Sequence, residues 1–350
     1  MADCRQRPCR RAAMGAVAKA AFAVLAGCAS ADPSPSASAF SFAVVGDAPY
    51  RDADEPRFAE MLRDIDGDPA VRFVLHAGDL KGGDEPCADG LLQRRLTQFG
   101  EVRALVYTPG DNDWTDCHRA GAGRFDPLER LQRLRRLAYA DPHRSLGRQP
   151  LALESQAAVP AYREFAENAM FVSGGVVFVT LHVVGSGNGL EPWRGVEASD
   201  RAEAPRAARI DAFRRREAAN LAWLQAAFDR AQSIAAPAVV VLMQANPRFE
   251  LPPGHPDRRG FETVIDALAR HTRRFGRPVL LAHGDHHIYV VDRPLASASP
   301  PVANLVRVQT HGHPLSGWVR VTVDPIRDDV FVVRSGPTRH LEVEVSAGSQ

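Results

Sequence analysis

Three Gly-Asp pairs, Gly46-Asp47, Gly78-Asp79 and Gly110-Asp111, each stand at the end of a short apolar run. The runs read FSFAVVGD, VRFVLHAGD and ALVYTPGD. They are rich in β-branched and aromatic residues and bounded by turn formers, which predicts three buried strands. Each strand would deliver one carboxylate at its carboxyl end, where open α/β sheets gather ligands and catalysts. Three converging carboxylates repel one another unless a cation lies between them, so these residues point first to a metal site. Taken singly, a strand-end Gly-Asp is as readily the cap of the following helix. The three in register with Gly284-Asp285-His286-His287 favour chemistry.

The segments between the runs have helical lengths, so the first part reads β-α-β-α-β with parallel strands. Helices are expected over Cys87–Phe99 and Asp126–Leu137, the second with Leu128, Leu131, Leu134 and Leu137 as a core stripe. Residues 149–167 are irregular. A hairpin of Ala169–Val172 and Val176–Val184 turns at Ser173-Gly174-Gly175 and carries His182. Gly185–Pro205 reads as a long polar loop, functional or mobile, that covers the site. Ile210, Phe213, Leu221, Leu224 and Phe228 then mark one long amphipathic helix with a solvated, Arg-rich face. Strands at Ala238–Met243 and Pro278–Ala282 flank a helix at Gly260–Phe275. The tail holds only short strands, expected to pair antiparallel within a second sheet. The whole from 40 to 343 reads as one domain, with 344–350 a disordered tail.

The chain has 350 residues, 45% apolar and 24% charged, an ordinary globular composition. Its net charge of +1 includes five basic residues and one acidic residue in the first 27; without them 38 basic side chains face 41 acidic ones. No basic surface for nucleic acid follows. The first 27 residues have the order of an export signal, a basic start and then a short apolar run. Leu25-Ala26-Gly27-Cys28 resembles a bacterial lipobox, with Cys28 as the lipid-bearing residue and Ala29 favouring the outer membrane. The expectation is an exported lipoprotein on the periplasmic face of the outer membrane, with 28–39 as a flexible tether; a plain secretory signal is the alternative. Cys87 and Cys117 remain, a pair in an oxidising compartment whose loops follow strand ends. A bridge would contribute roughly 3 to 4 kcal/mol on the chain-entropy model. Free thiols or a thiolate metal pair are the alternatives, although the spacing fits neither a zinc ribbon nor a CxxC motif.

The ordered series Gly46-Asp47, Gly78-Asp79, Gly110-Asp111-Asn112-Asp113, strand-end Gln244 and Gly284-Asp285-His286-His287 resembles the calcineurin-like metallophosphoesterase superfamily. That family's pattern is D-x-H, G-D, G-N-H-D/E, a strand-end His and G-H-x-H. The resemblance runs from about Phe40 to Asp324. It implies a four-layer α/β/β/α sandwich, two mixed β-sheets flanked by helices. It also implies a two-metal centre that hydrolyses a phosphate mono- or diester by a metal-bound hydroxide. In that scheme Asp47 binds the first metal and Asp79 bridges both. Asp111 stands at a ligand Asn, Gln244 at a ligand His, and Asp285 at the first His of G-H-x-H, while His287 matches the second. Asn112 occupies the position of the catalytic His. Pro49 replaces the His of D-x-H, with Tyr50 the nearest substitute.

Carboxylate and amide oxygens are harder ligands than imidazole, so the set implied by the resemblance suits Mg²⁺, Mn²⁺, Ca²⁺ or Fe better than Zn²⁺. Asn112 has no proton to exchange near neutral pH, which leaves Asp113, His76, His283 and His286 as candidate acids; His283 and His286 are favoured by histidine's ordinary titration range. Tyr50, Lys81 and Arg248 are candidates to hold phosphate oxygens. The substrate class is a small-molecule, lipid or nucleotide phosphate ester. His76 and His182 lie inside apolar strands and read as core groups, and His311-Gly312-His313 reads as a surface loop. The replaced imidazoles support a second reading, a phosphoesterase-fold binding protein of the cell envelope that has lost catalysis.

Overall fold

The computed structural model describes residues 38–327 and 329–336. The leader, the lipid-bearing Cys28, most of the tether and the 344–350 tail lie outside the described residues. Strand β1 (Phe40–Val45) buries both faces. Phe40, Phe42 and Val44 enter one apolar layer and Ala43 and Val45 another, the two-residue alternation of a strand between two layers. β2 (Val71–His76) and β3 (Leu105–Tyr107) follow it in parallel register, as the sequence predicts.

The remaining strands are β4 (Glu154–Ser155), β5 (Ala169–Ser173), β6 (Val176–Thr180), β7 (Val239–Leu242), β8 (Val279–His283), β9 (Val290–Asp292), β10 (Leu305–Gln309), β11 (Val319–Val323) and β12 (Phe331–Ser335). They make a five-stranded sheet, β12-β11-β1-β2-β3, and a seven-stranded sheet, β4-β5-β6-β7-β8-β10-β9. Phe42 and Phe73 from the first sheet meet Phe178, Val240 and Leu280 from the second in the layer between them. Phe42 stacks on Phe73 at 5.6 Å and meets the edge of Phe178 at 5.3 Å. Truncating such a residue to Ala costs about 3–5 kcal/mol. Helices Glu55–Asp66, Asp89–Phe99 and Pro127–Ala138 cover the outside of the first sheet, and Ala207–Ser233 and Glu262–Phe275 cover the second. The architecture is the expected α/β/β/α sandwich.

The tail departs from expectation. β9 and β10 do join the second sheet, but β10 runs parallel to β8. β11 and β12 enter the first sheet, where β11 lies antiparallel against β1 and closes its open edge. The long helix also differs, because Arg209 and Arg216 on its Arg-rich face are buried. Arg209 donates to both carboxylate oxygens of Asp200, at 2.9 and 2.7 Å, and Arg216 donates to the His182 carbonyl at 3.0 Å. Those partners come from the 185–205 segment and the strand before it. That segment is therefore a packed plug, with Trp193 and Asp200 buried.

Candidate functional site

Strand ends place the carboxylates. Asp47, Asp79 and Asp285 have φ of 54°, 58° and 81°, left-handed values that turn each chain sharply after its strand. The turns need glycine neighbours: a Cβ on Gly110 would collide with the Asp79 carboxylate, and one on Gly284 with the Asp47 carboxylate. Behind them the Asp113 carboxylate accepts from the backbone N–H of Asp79 (3.0 Å), Leu80 (2.8 Å) and Gly110 (2.7 Å), and from the Tyr107 hydroxyl (2.6 Å). Cys87 and Cys117 form a disulfide with Cα atoms 5.7 Å apart, and both sulfurs approach the Asn112 carbonyl. The second and third strand ends are thus tied into one rigid floor.

Asp47, Tyr50, Asp79, Asp111, Asn112, Gln244, Asp285 and His287 meet in one hydrogen-bonded cluster. The Asp79 Oδ2 atom is its hub, accepting from the Tyr50 hydroxyl (2.9 Å), Asn112 Nδ2 (2.9 Å) and Gln244 Nε2 (3.3 Å). Gln244 Nε2 also faces Asp111 Oδ1 at 3.0 Å and Asp285 Oδ1 at 3.5 Å. Its orientation is fixed, since Gln244 Oε1 accepts from the Gly185 N–H at 2.6 Å. The Tyr50 hydroxyl lies 3.1 Å from His287 Nε2 and 3.5 Å from Asp47 Oδ1. His287 Nδ1 faces the His313 carbonyl at 2.8 Å, so Nδ1 carries the proton and Nε2 is the free acceptor. Both oxygens of Asp47 accept from the Asp285 N–H, at 3.1 and 3.0 Å.

Among the described residues no Lys or Arg pairs with Asp47, Asp79 or Asp111, while Asp116 pairs with Arg119 at 2.7 Å. Burial, and then the neighbouring Asp285, push the Asp47 carboxyl well above the usual range; burial and Asp111 do the same to Asp79. Asp285 is pushed up to about 7 by burial and Asp111, and Asp116 to about 8 by the same two causes. Ser186 Oγ lies 2.9 Å from Asp111 and 2.8 Å from Asp116, linking the two carboxyls.

Among solved structures, that of PhoD matches with a TM-score of 0.51 and 14% identity, over 84% of this chain and 66% of PhoD. The fold is metallophosphoesterase-like. GAP50, the anchor in the inner membrane complex of Plasmodium, matches with a TM-score of 0.44 and 11% identity, over 85% of this chain and 88% of that one. The phosphopantetheinyl hydrolase PptH from Mycobacterium tuberculosis matches with 0.41 and 12%, over 78% and 90%. No family model and no curated protein matches the sequence.

The donor set can be compared with the two-metal centre that the sequence resemblance implies. Two neutral donors lie between the carboxylates. Gln244 Nε2 stands between Asp79, Asp111 and Asp285, and the Tyr50 hydroxyl between Asp79, Asp47 and His287. Asp79 still bridges, but what it bridges are the hydrogen-bond donors of Tyr50, Asn112 and Gln244. Among the described residues no group of three or more His, Cys, Asp or Glu side chains is disposed to hold a metal ion. In this arrangement the residues do not fit a two-metal centre: Gln244 would have to turn its oxygen inward and set its NH₂ against the Gly185 N–H.

Several expected roles are corrected with it. Lys81 does not reach the cluster; it is buried, and its Nζ donates to the carbonyls of Gly82 and Glu85, each at 2.9 Å. Asp113 is the brace described above, with its oxygens spent on backbone and Tyr107. His283 is fully buried, with Nδ1 3.0 Å from the Gly284 carbonyl, and burial lowers it to about 3, so it has no proton to give at neutral pH. The carboxamide of Asn112 and the hydroxyl of Tyr50 bind Asp79 and each other, at 3.0 Å between them. His76 is a core residue, as expected, 4.3 Å from Phe99 between ring centroids.

His286 and Arg248 lie outside the cluster, in a cleft of about 500 Å³ beside Asp285, with Ser186, Asn246 and Arg259. Asn246 Nδ2 faces His286 Nδ1 at 2.9 Å, while Asn246 Oδ1 accepts from the Arg248 N–H at 2.9 Å. The imidazole therefore presents its Nε2–H as a donor. Sequence reasoning missed Ser186, Asp116 and Asn246, and undervalued His313. His313 stacks on Tyr50 at 5.4 Å and pairs with Asp54 at 3.1 Å. The His-Gly-His spacing was the available signal for His313. Nothing in the sequence marks Ser186, whose left-handed turn (φ 48°) is held by Arg216 through Asn188.

Proposed function

We propose that this chain is a phosphate-ester-binding protein on a metallophosphoesterase-like scaffold, in which a hydrogen-bonded carboxylate cluster stands in place of a two-metal hydrolytic centre. The observation that carries this is the Gln244 carboxamide, anchored by Gly185 and aimed nitrogen-first into three carboxylates. The ligand's anionic head lies in the adjoining cleft against Arg248, Arg259 and the His286 N–H, and its hydroxyls reach Asp285 and Ser186. Among the described residues the Arg248 guanidinium is tied to Glu250 alone, at 3.5 Å, and so is available to an anion.

Metal-dependent hydrolysis is the second reading, favoured by the burial of Asp47, Asp79 and Asp111 with no Lys or Arg ion pair to them among the described residues. The test is hydrolysis of 4-nitrophenyl phosphate and bis(4-nitrophenyl) phosphate by chelator-treated protein given Mg²⁺, Mn²⁺, Ca²⁺ or Fe²⁺, with metal content measured in parallel. The binding reading expects no metal-dependent turnover and a phosphate ester affinity that survives chelation. Turnover that needs the metal and disappears in Asp79→Asn overturns it. We further propose that the protein works at the cell envelope through a lipid on Cys28; membrane association unchanged in Cys28→Ala would refute that.

A further inference from the structure

A cavity of about 560 Å³ lies among the helix Pro127–Ala138, the turn around Arg163 and the first half of the helix Ala207–Ser233. None of its lining residues belongs to the carboxylate cluster. Its size is that of a small-molecule site. Five arginines line it, Arg135, Arg136, Arg163, Arg215 and Arg216, and Glu164 is the one acidic residue in its lining. Glu164 is shared between Arg135 (3.4 Å) and Arg215 (3.0 Å), and Arg135 is further tied to buried Glu167. Arg136 and Arg163 are exposed and have no ion pair among the described residues.

Arg216 is the decisive group. It is buried, yet its hydrogen bonds go only to the His182 carbonyl and to the carbonyl and side-chain oxygens of Asn188. Among the described residues no carboxylate pairs with it directly and its Nη1 forms no hydrogen bond; the Glu167 charge acts on it from beyond contact, and the centroid of the Trp114 ring lies 5.3 Å from its Cζ. A buried guanidinium without a directly paired counter-ion is costly, and an anion in the cavity it lines would offset that cost. The floor is apolar, built from Leu128, Leu131, Phe165 and Ala212.

We propose that this cavity binds an amphiphilic oxyanion, a phosphate or carboxylate head on a hydrocarbon body, with the head on Arg136, Arg163 and Arg216 and the body on the Leu128–Phe165 floor. The inference does not depend on the reading of the carboxylate cluster. Calorimetry on the intact chain tests it with octyl phosphate below its micelle concentration, and with inorganic phosphate and octanol as the two halves. In the Arg248→Ala/Arg259→Ala background, which removes the cations of the other cleft, one octyl phosphate should bind per chain, at least tenfold more tightly than either half. In that background the double variant Arg136→Ala/Arg163→Ala should weaken it at least tenfold. Both altered arginines are exposed and unpaired, so the fold is not at stake. Equal affinity for octyl phosphate and inorganic phosphate, or binding indifferent to the double variant, overturns the proposal. So does the loss of all octyl phosphate binding in Arg248→Ala/Arg259→Ala itself, which would assign the ligand to the other cleft.

Discussion

Buried carboxylates occur in two settings in this molecule, one that favours the ionised form and one that favours the protonated form. Around the plug and the long helix, Asp200 and Glu167 are fully buried and each meets a guanidinium, Arg209 at 2.7 Å and Arg135 at 2.6 Å. Burial alone would raise Glu167, but Arg135 and the His182 hydrogen bond outweigh it and hold the carboxyl at about 2. Asp200 is held at about 2 against the same effect by Arg209 and by the backbone N–H of Arg206 and Trp193. In the cluster, Asp285 is also withdrawn from water, yet it stands beside Asp111 and rises to about 7. Burial does not decide the charge of a carboxylate; the neighbour does. In the first setting each of these carboxylates is answered by a guanidinium inside the protein. In the second, neutral donors stand between the carboxylates.

The sharpest way to break this contrast is Arg209→Ala, which leaves Asp200 buried without a counter-charge. Stability measured by urea unfolding should fall by about 3–5 kcal/mol, whereas Asp285→Asn should change it by about 1 kcal/mol or less at pH 6. Comparable losses in the two variants would erase the distinction between the settings. Next in size is Gln244→Glu, which replaces the donor at the centre of three carboxylates by a fourth acid. It should lower stability by about 1–3 kcal/mol at pH 8, and a neutral result would mean that the carboxamide is not holding the cluster together.

The pH dependence of two variants sharpens the comparison further. The Asp285 carboxyl is raised from its ordinary 3.8 to about 7, so its contribution is complete below about pH 4 and is lost as pH climbs through 7. Asp285→Asn should therefore gain on the native chain between pH 5 and pH 9, on the order of 1–3 kcal/mol. Glu167 is lowered to about 2, so its contribution is present above about 4.5 and is lost as pH falls toward 2. Glu167→Gln should cost most at pH 7 and least near pH 2.5, and urea midpoints at the four pH values read both slopes. The smallest expected effect is at the cleft, where Arg248→Ala should weaken phosphate ester binding by about three- to tenfold in calorimetry, as for a half-exposed charge.

Much of the scaffold was legible because it rests on local pattern. The Phe40–Val45, Val71–His76 and Leu105–Tyr107 runs, the hairpin at Gly174-Gly175 and the leucine stripe of 128–137 each advertise their element through side-chain period. The route of β11 back to β1 was not legible, because a short alternating strand does not say which open edge it will close. Lys81 shows the same gap at the site. Two residues past Asp79 it looks like a phosphate ligand, but one turn of backbone sends its Nζ to the carbonyls of Gly82 and Glu85.

The sequence by itself determined that acidic residues would end three parallel strands and that most imidazoles of the resembling pattern are replaced. Both follow from residue identity and two-residue or helical periodicity, which are local. Only the tertiary structure decided that Gln244 presents nitrogen to the carboxylates, because that choice is made by Gly185, 59 positions away along the chain. The same holds for Arg209 and Arg216, exposed by helical pattern yet buried in fact. A charged side chain goes inside only when distant parts of the chain supply its partners, and such partners are set by folding rather than by spacing.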